Sequence, residues 1–86
     1  MGMSLKTVQF DHGGRRLEVR AEAIDYEIQV RVFENGTPVT AMLRHVPIPI
    51  NFEGHLMPFP LDRLDALVEM AQEEVEKGRV PLLPSL

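Results

Sequence analysis

The side chains of this 86-residue chain best suited to chemistry are three histidines, His12, His45 and His55, and a single tyrosine, Tyr26. A tyrosine and a histidine held together can move a proton. Here each has a charged neighbour in sequence, Glu27 beside Tyr26 and Arg44 beside His45. Facing each other across a hairpin, Tyr26 and His45 would form a polar rim site at the mouth of a core. Such pairs more commonly close a rim with their polar tips in water, and no nucleophile accompanies this one. The histidines do not have the i, i+4 spacing of a metalloprotease helix, and with no cysteine a mixed zinc set cannot be completed. The phosphate-cradling patterns G-x-x-x-x-G-K-[ST] and G-x-G-x-x-G are missing, as is the nucleophile elbow G-x-S-x-G. We therefore assign no catalytic residue, metal or cofactor, and expect the chain not to be an enzyme.

Two charged groupings remain. Arg16, Arg20, Arg31 and Arg44 fall at strand positions that share one face with Phe33 and Met42. Guanidinium groups beside an aromatic ring are what phosphate and nucleic-acid sites use, through bidentate contacts and stacking. Glu18, Glu22 and Glu27 share that face and cancel much of its field, so a mixed solvent face competes with an interaction surface. The second grouping is Asp65, Glu69, Glu73 and Glu76, which with Asp62 make an acidic stripe at helical spacing. Like charges so spaced cost roughly 0.2–0.5 kcal/mol per pair, relieved in part by Lys77 four residues after Glu73. The stripe is either a docking face for a basic partner or a solvated helix face.

The net charge is −4, and residues 62–77 hold six acids against two bases, so the acidity belongs to one segment. An acidic balance disfavours nucleic acid as a partner, since its binders carry a basic excess. Apolar residues at 44% and charged residues at 26% match ordinary globular usage, and the length fits one domain over residues 1–86. A chain this short buries little more than about 60% of its unfolded surface. Without disulfides, oligomerisation is the natural supplement, and a homodimer is expected. No run approaches the ~18 apolar residues that cross a bilayer, and residues 1–10 lack a signal peptide's apolar stretch. Lys6 stands where a myristoylation motif needs Ser or Thr. These features predict a cytoplasmic protein with no membrane partner.

The elements that must position these residues are read from turns and periodicity. Gly13-Gly14 can supply the positive φ angles of a two-residue turn, which pairs Phe10 with Leu17 and Val8 with Val19 on one face, and Gln9 with Glu18 and Thr7 with Arg20 on the other. Asn35-Gly36 is a stronger hairpin signal. Counting outward from it, Val32 meets Val39, Val30 meets Ala41 and Ile28 meets Leu43 on the inner face. Arg31 meets Thr40, Gln29 meets Met42 and Glu27 meets Arg44 on the outer one, and the same register sets His45 opposite Tyr26. Ile24 and Asp25 would join the hairpins. Residues 46–60 are apolar but punctuated by Pro47 and Pro49. They form either an edge strand, with Ile48, Ile50 and Phe52 inward, or a covering loop. A helix over 62–77 follows, capped by Asp62 and ended by Gly78, with Leu64, Leu67, Val68, Ala71 and Val75 within an arc of about 100°. The apolar tail 79–86 either packs back on the core or docks on a neighbour.

The expectation is an α+β domain: an antiparallel meander of four or five strands over residues 5–53, with one C-terminal helix across its apolar face. The function that fits is a small protein-interaction or regulatory module, non-enzymatic and self-associating. The alternative is a nucleic-acid-associated protein that binds through the arginine-bearing sheet face.

Overall fold

The computed structural model describes residues 3–48 and 61–84. The chain is an α+β domain with an antiparallel sheet of β1 (Met3–His12), β2 (Arg15–Ile24), β3 (Glu27–Glu34), β4 (Thr37–Pro38) and β5 (Arg44–Pro47). Helix α1 (Leu61–Glu76) packs on one face, against β1, β2 and β3. The strands follow the order β1-β2-β3-β4, and β5 also pairs with β3, so β4 and β5 are two pieces of one interrupted edge.

The first hairpin has the expected register, with Phe10 opposite Leu17, Val8 opposite Val19, Gln9 opposite Glu18 and Thr7 opposite Arg20. Its turn residues Gly13 and Gly14 have φ of +59° and +76°, a conformation that costs glycine little because it has no Cβ. A bulge at Leu5 interrupts the ladder between Ser4 and Lys6. The link between the hairpins is Asp25-Tyr26 rather than Ile24-Asp25. Both linking residues lie in the left-handed region, at φ +50° and +64°, without a glycine to ease it.

The second hairpin turns at Asn35-Gly36 as expected, and Val39 donates its amide to the Val32 carbonyl at 2.9 Å. Beyond that point the register differs by three residues. Val30 meets Arg44 instead of Ala41, Ile28 meets Val46 instead of Leu43, Gln29 meets His45 instead of Met42, and Glu27 meets Pro47 instead of Arg44. Thr40 is the physical reason. Its buried hydroxyl accepts the Val32 amide at 3.1 Å, the donor that a regular ladder would give to Val39. The Val39 carbonyl is thereby freed and accepts the amide of Leu83 from the tail at 2.8 Å. Residues 40–42 leave the ladder, Leu43 returns to it by donating its amide to the Val30 carbonyl at 2.8 Å, and because three is odd, Arg44 and His45 face opposite to expectation.

The core holds Leu17, Val19, Ala21, Ile28, Val30 and Val32 of the sheet, all with no exposed surface, under Leu64, Val68, Ala71 and Val75 of the helix. The apolar stripe predicted for the helix is thus its buried face, with Leu67 partly buried at its margin. Asp62 lies inside the first turn rather than capping it, since the helix begins at Leu61. Gly78, at φ +71°, ends the helix as expected. Its amide reaches Val75 O at 3.0 Å and that of Arg79 reaches Glu74 O at 2.9 Å, the paired bonds of a Schellman motif.

Two ion pairs set the helix direction. Asp65 bonds Lys6 of β1 and Glu74 bonds Arg44 of β5. Lys6, Ala21, Val30 and Arg44 form one row across four strands. The rise from residue 65 to 74 is about 13.5 Å, and three strand gaps span about 14.4 Å. The helix therefore crosses the strands, its N-terminal half over β1 and its C-terminal half over β5. The described tail packs back, with Val80 and Leu82 against the core. Ile48 is buried, as predicted for the proline segment, and Val46 and Pro47 are in the edge strand β5. Pro49, Ile50, Phe52 and His55 lie outside the described residues.

Candidate interaction surfaces

Tyr26 and His45 are not brought together. Tyr26 is in the exposed turn after β2, and the residue whose amide reaches its carbonyl, at 2.9 Å, is Ile48. His45 stands opposite Gln29 on the outer face, with Nδ1 3.5 Å from the Glu27 carboxylate. The three-residue shift separates them, so the two side chains form no rim site.

The same shift removes Arg44 from the outer face. It stands opposite the buried Val30 and reaches Glu74 on the helix side. Met42 falls in residues 40–42, outside the ladder. What remains outward is Arg16, Arg20, Arg31 and Phe33, and the carboxylates are close by. Arg20 donates Nε–H to Glu18 at 2.9 Å and lies over the Phe33 ring at 4.2 Å. Arg16 is 3.6 Å from Asp11. Arg31 stands directly opposite Arg20, an unfavourable like-charge pair, and its buried Nε has no acceptor among the described residues. By register, three arginines on β1 to β3 share this face with four carboxylates, Asp11, Glu18, Glu22 and Glu27. The field is close to balanced. A cleft of about 150 Å³ beside Phe33 is lined by Gln9, Arg16 and Glu18 among others.

The acidic stripe is divided. Asp65 is spent on Lys6 of β1, and Glu73 on Lys77 one helical turn ahead. The Lys77 hydrogen bond and charge hold the Glu73 carboxyl below the usual carboxylate range. Glu69 and Glu76 are exposed and pair with no described residue.

Several structural contacts had no counterpart in the sequence expectations. Arg15 bonds Glu34 at 2.8 and 3.2 Å and the Leu83 carbonyl at 2.7 Å, tying the two hairpin turns to the tail. The Glu34 hydrogen bond pushes the Arg15 pKa above its ordinary value, against a smaller opposing effect of burial. The turns at Gly13-Gly14 and Asn35-Gly36 fall at one end of any meander, so their flanking charges were a usable signal. Between that turn and the tail lies a mainly apolar cleft of about 350 Å³, lined by Glu34, Thr37, Pro38, Val39 and Leu83 among others.

The sheet edges differ. On the β4–β5 side, β4 contains Pro38, the Val39 carbonyl is taken by the tail, and β5 ends in Pro47. Because the Ile48 amide points toward β3, the Pro47 nitrogen points away from it. On the other side, β1 bonds only β2 among the described residues. Its N-terminal half carries the bulge at Leu5 and the inward charge Lys6. Its C-terminal half, Thr7 to His12, has neither proline, nor lysine, nor bulge.

Among the described residues no group of three or more His, Asp or Glu is placed to hold a metal ion, and no helix is long and apolar enough to cross a membrane. No family model, no curated protein and no solved structure matches the chain.

Proposed function

We propose that this chain is a small non-enzymatic protein-interaction module that self-associates and acts in the cytoplasm. One observation carries the reading: the β4–β5 edge is blunted by proline, a break and the tail, whereas residues 7–12 of β1 pair only with β2 among the described residues. Exposed strand edges are templates for pairing, and proteins that must stay apart protect them. A small core that gains from added apolar surface supports the same reading.

Nuclear magnetic resonance hydrogen exchange tests it. The amides of Thr7, Gln9 and Asp11 should become protected as protein concentration rises, while the already paired amides of Val8 and Phe10 change little. Unchanged exchange together with a monomeric mass would end the self-association reading. The alternative, nucleic-acid binding through the outer face, has less support, because its arginines are matched by neighbouring carboxylates. It requires retention on a polyanion column at moderate salt, and elution in the low-salt flow-through would dispose of it.

A further inference from the structure

We infer that β1 pairs antiparallel with β1 of a second copy about a two-fold axis through Gln9, making one continuous sheet from two domains. This inference rests on the interaction reading above and names its partner and register.

Hydrogen-bond parity comes first. A two-residue turn closes on a hydrogen-bonded pair, here His12 and Arg15, and such pairs recur at every second residue. Phe10 and Val8 therefore bond toward β2, and the backbone groups of Thr7, Gln9 and Asp11 point to the edge that no other described strand pairs with. Their side chains lie on the outer face, since Gln9 stands opposite Glu18, and Thr7 opposite Arg20.

Length fixes the centre. The regular stretch is bounded by the bulge at Leu5 and the turn at Gly13, leaving residues 6–12. Only a register centred on Gln9 uses all of that stretch in both copies. Gln9 then bonds Gln9 of the second copy, and Thr7 bonds Asp11 through the backbone with the hydroxyl beside the carboxylate. On the inner face Val8 meets Phe10. Centres at Val8 or Phe10 each lose residues at the bulge or the turn.

Charge is compatible with the same register. Asp65 is held over Lys6, so in a dimer each acidic helix lies over its own Lys6 row. With Gln9 on the axis the two Lys6 rows are six residues apart, or about 20 Å along the strands. That exceeds the screening length of about 8 Å at physiological salt, so the acidic stripes do not oppose each other. An axis at Lys6 itself would bring the two Asp65 carboxylates together.

Because the chain has no cysteine, single substitutions report the register cleanly. Residues in a hydrogen-bonded pair have Cα atoms about 5.5 Å apart, within the disulfide range. Gln9→Cys should form a disulfide-linked dimer under mild oxidation. Thr7→Cys and Asp11→Cys should cross-link poorly alone but readily when mixed. Gln9→Pro removes an amide that points away from β2, so it should abolish the dimer in sedimentation while leaving the circular dichroism unchanged.

A wild-type chain that sediments as a monomer at every concentration overturns the inference. So does cross-linking of Thr7→Cys or Asp11→Cys alone as readily as Gln9→Cys. If the chain is monomeric yet captures a different protein in a Gln9→Pro-sensitive way, the second copy is wrong and the interaction module stands. If nothing Gln9→Pro-sensitive is found, both readings fail.

Discussion

Thr40→Val replaces a hydroxyl by a methyl of nearly the same size at a position only 8% exposed. The hydroxyl is the sole ladder acceptor of the Val32 amide, at 3.1 Å, and Val32 has no exposed surface. Removing it leaves a buried donor without an acceptor, which costs about 1–3 kcal/mol. Added apolar burial from the new methyl offsets at most about 0.8 kcal/mol of this. For a domain of this size each kcal/mol corresponds to about 4–8 °C in Tm. The chain has one way to relax: the Val39 carbonyl can return to Val32, which releases the Leu83 amide it now accepts. The assay is urea denaturation at constant m, paired with hydrogen exchange at Leu83. Thr40→Val should lower the midpoint, or lose protection at Leu83, or both. Thr40→Ser keeps the hydroxyl and should leave Leu83 protected. A Thr40→Val protein with wild-type midpoint and wild-type Leu83 exchange would refute the role given to this hydroxyl.

Three further perturbations follow from named contacts. Tyr26→Gly relieves a left-handed residue, a strain of roughly 1–2 kcal/mol, against about 0.5–1 kcal/mol for glycine's extra unfolded freedom; calorimetry should show a raised Tm, and a fall would mean the tyrosine ring contributes contacts of its own. Arg31→Met removes a buried Nε without an acceptor and the like-charge neighbour of Arg20, so the denaturation midpoint should hold or rise by about 1 kcal/mol; a loss of similar size would show that the guanidinium is satisfied in solution. Glu73→Gln removes a carboxylate whose pKa is lowered by Lys77, a contribution present above the unfolded glutamate value near 4.3 and lost as pH falls through the folded one. Its midpoint should lie below wild type at pH 7 and converge with it in acid, and an equal deficit at both pH values would contradict the assignment.

The parts legible in the sequence were those fixed by local chemistry and period together. Gly13-Gly14 sets a turn, and the alternation of Val8, Phe10, Leu17 and Val19 around it admits one register, the one observed. The helix has both a stripe and a stop signal at Gly78. Past Val39 the same reasoning fails, because Ala41 and Leu43 alternate as well as Val46 and Ile48 do. The feature that decides between them is a hydroxyl hydrogen-bonding a backbone amide, and apolar patterning treats Thr40 as one more strand former. The candidate site inherited this error: Tyr26 with His45, and Arg44 among the outer arginines, both depended on a register extrapolated beyond Thr40. The terminal place of β1 among the described strands needed only the strand order of a meander, in which the first strand lies at one end.

The shifted register has an energetic basis that the regular one lacks. β3 begins at Glu27, so in the regular pairing Arg44 would meet its first residue and residues 45–48 would run beyond the sheet. Val46 and Ile48 would then have no strand to cover. In the observed pairing Val46 meets Ile28 and Ile48 is buried, while Leu43, bonded through its amide to Val30, still packs against the core. Burying an aliphatic side chain of that size contributes about 1.5–3 kcal/mol, and a ladder hydrogen bond given up contributes about 0.5–1.5. Thr40 limits even that loss by accepting the Val32 amide in place of Val39. Arg44, turned inward by the odd shift, meets Glu74 and fixes the helix end over β5. The break therefore covers the core, ties down the tail and places the helix, and it leaves β1 as the long edge still open among the described residues.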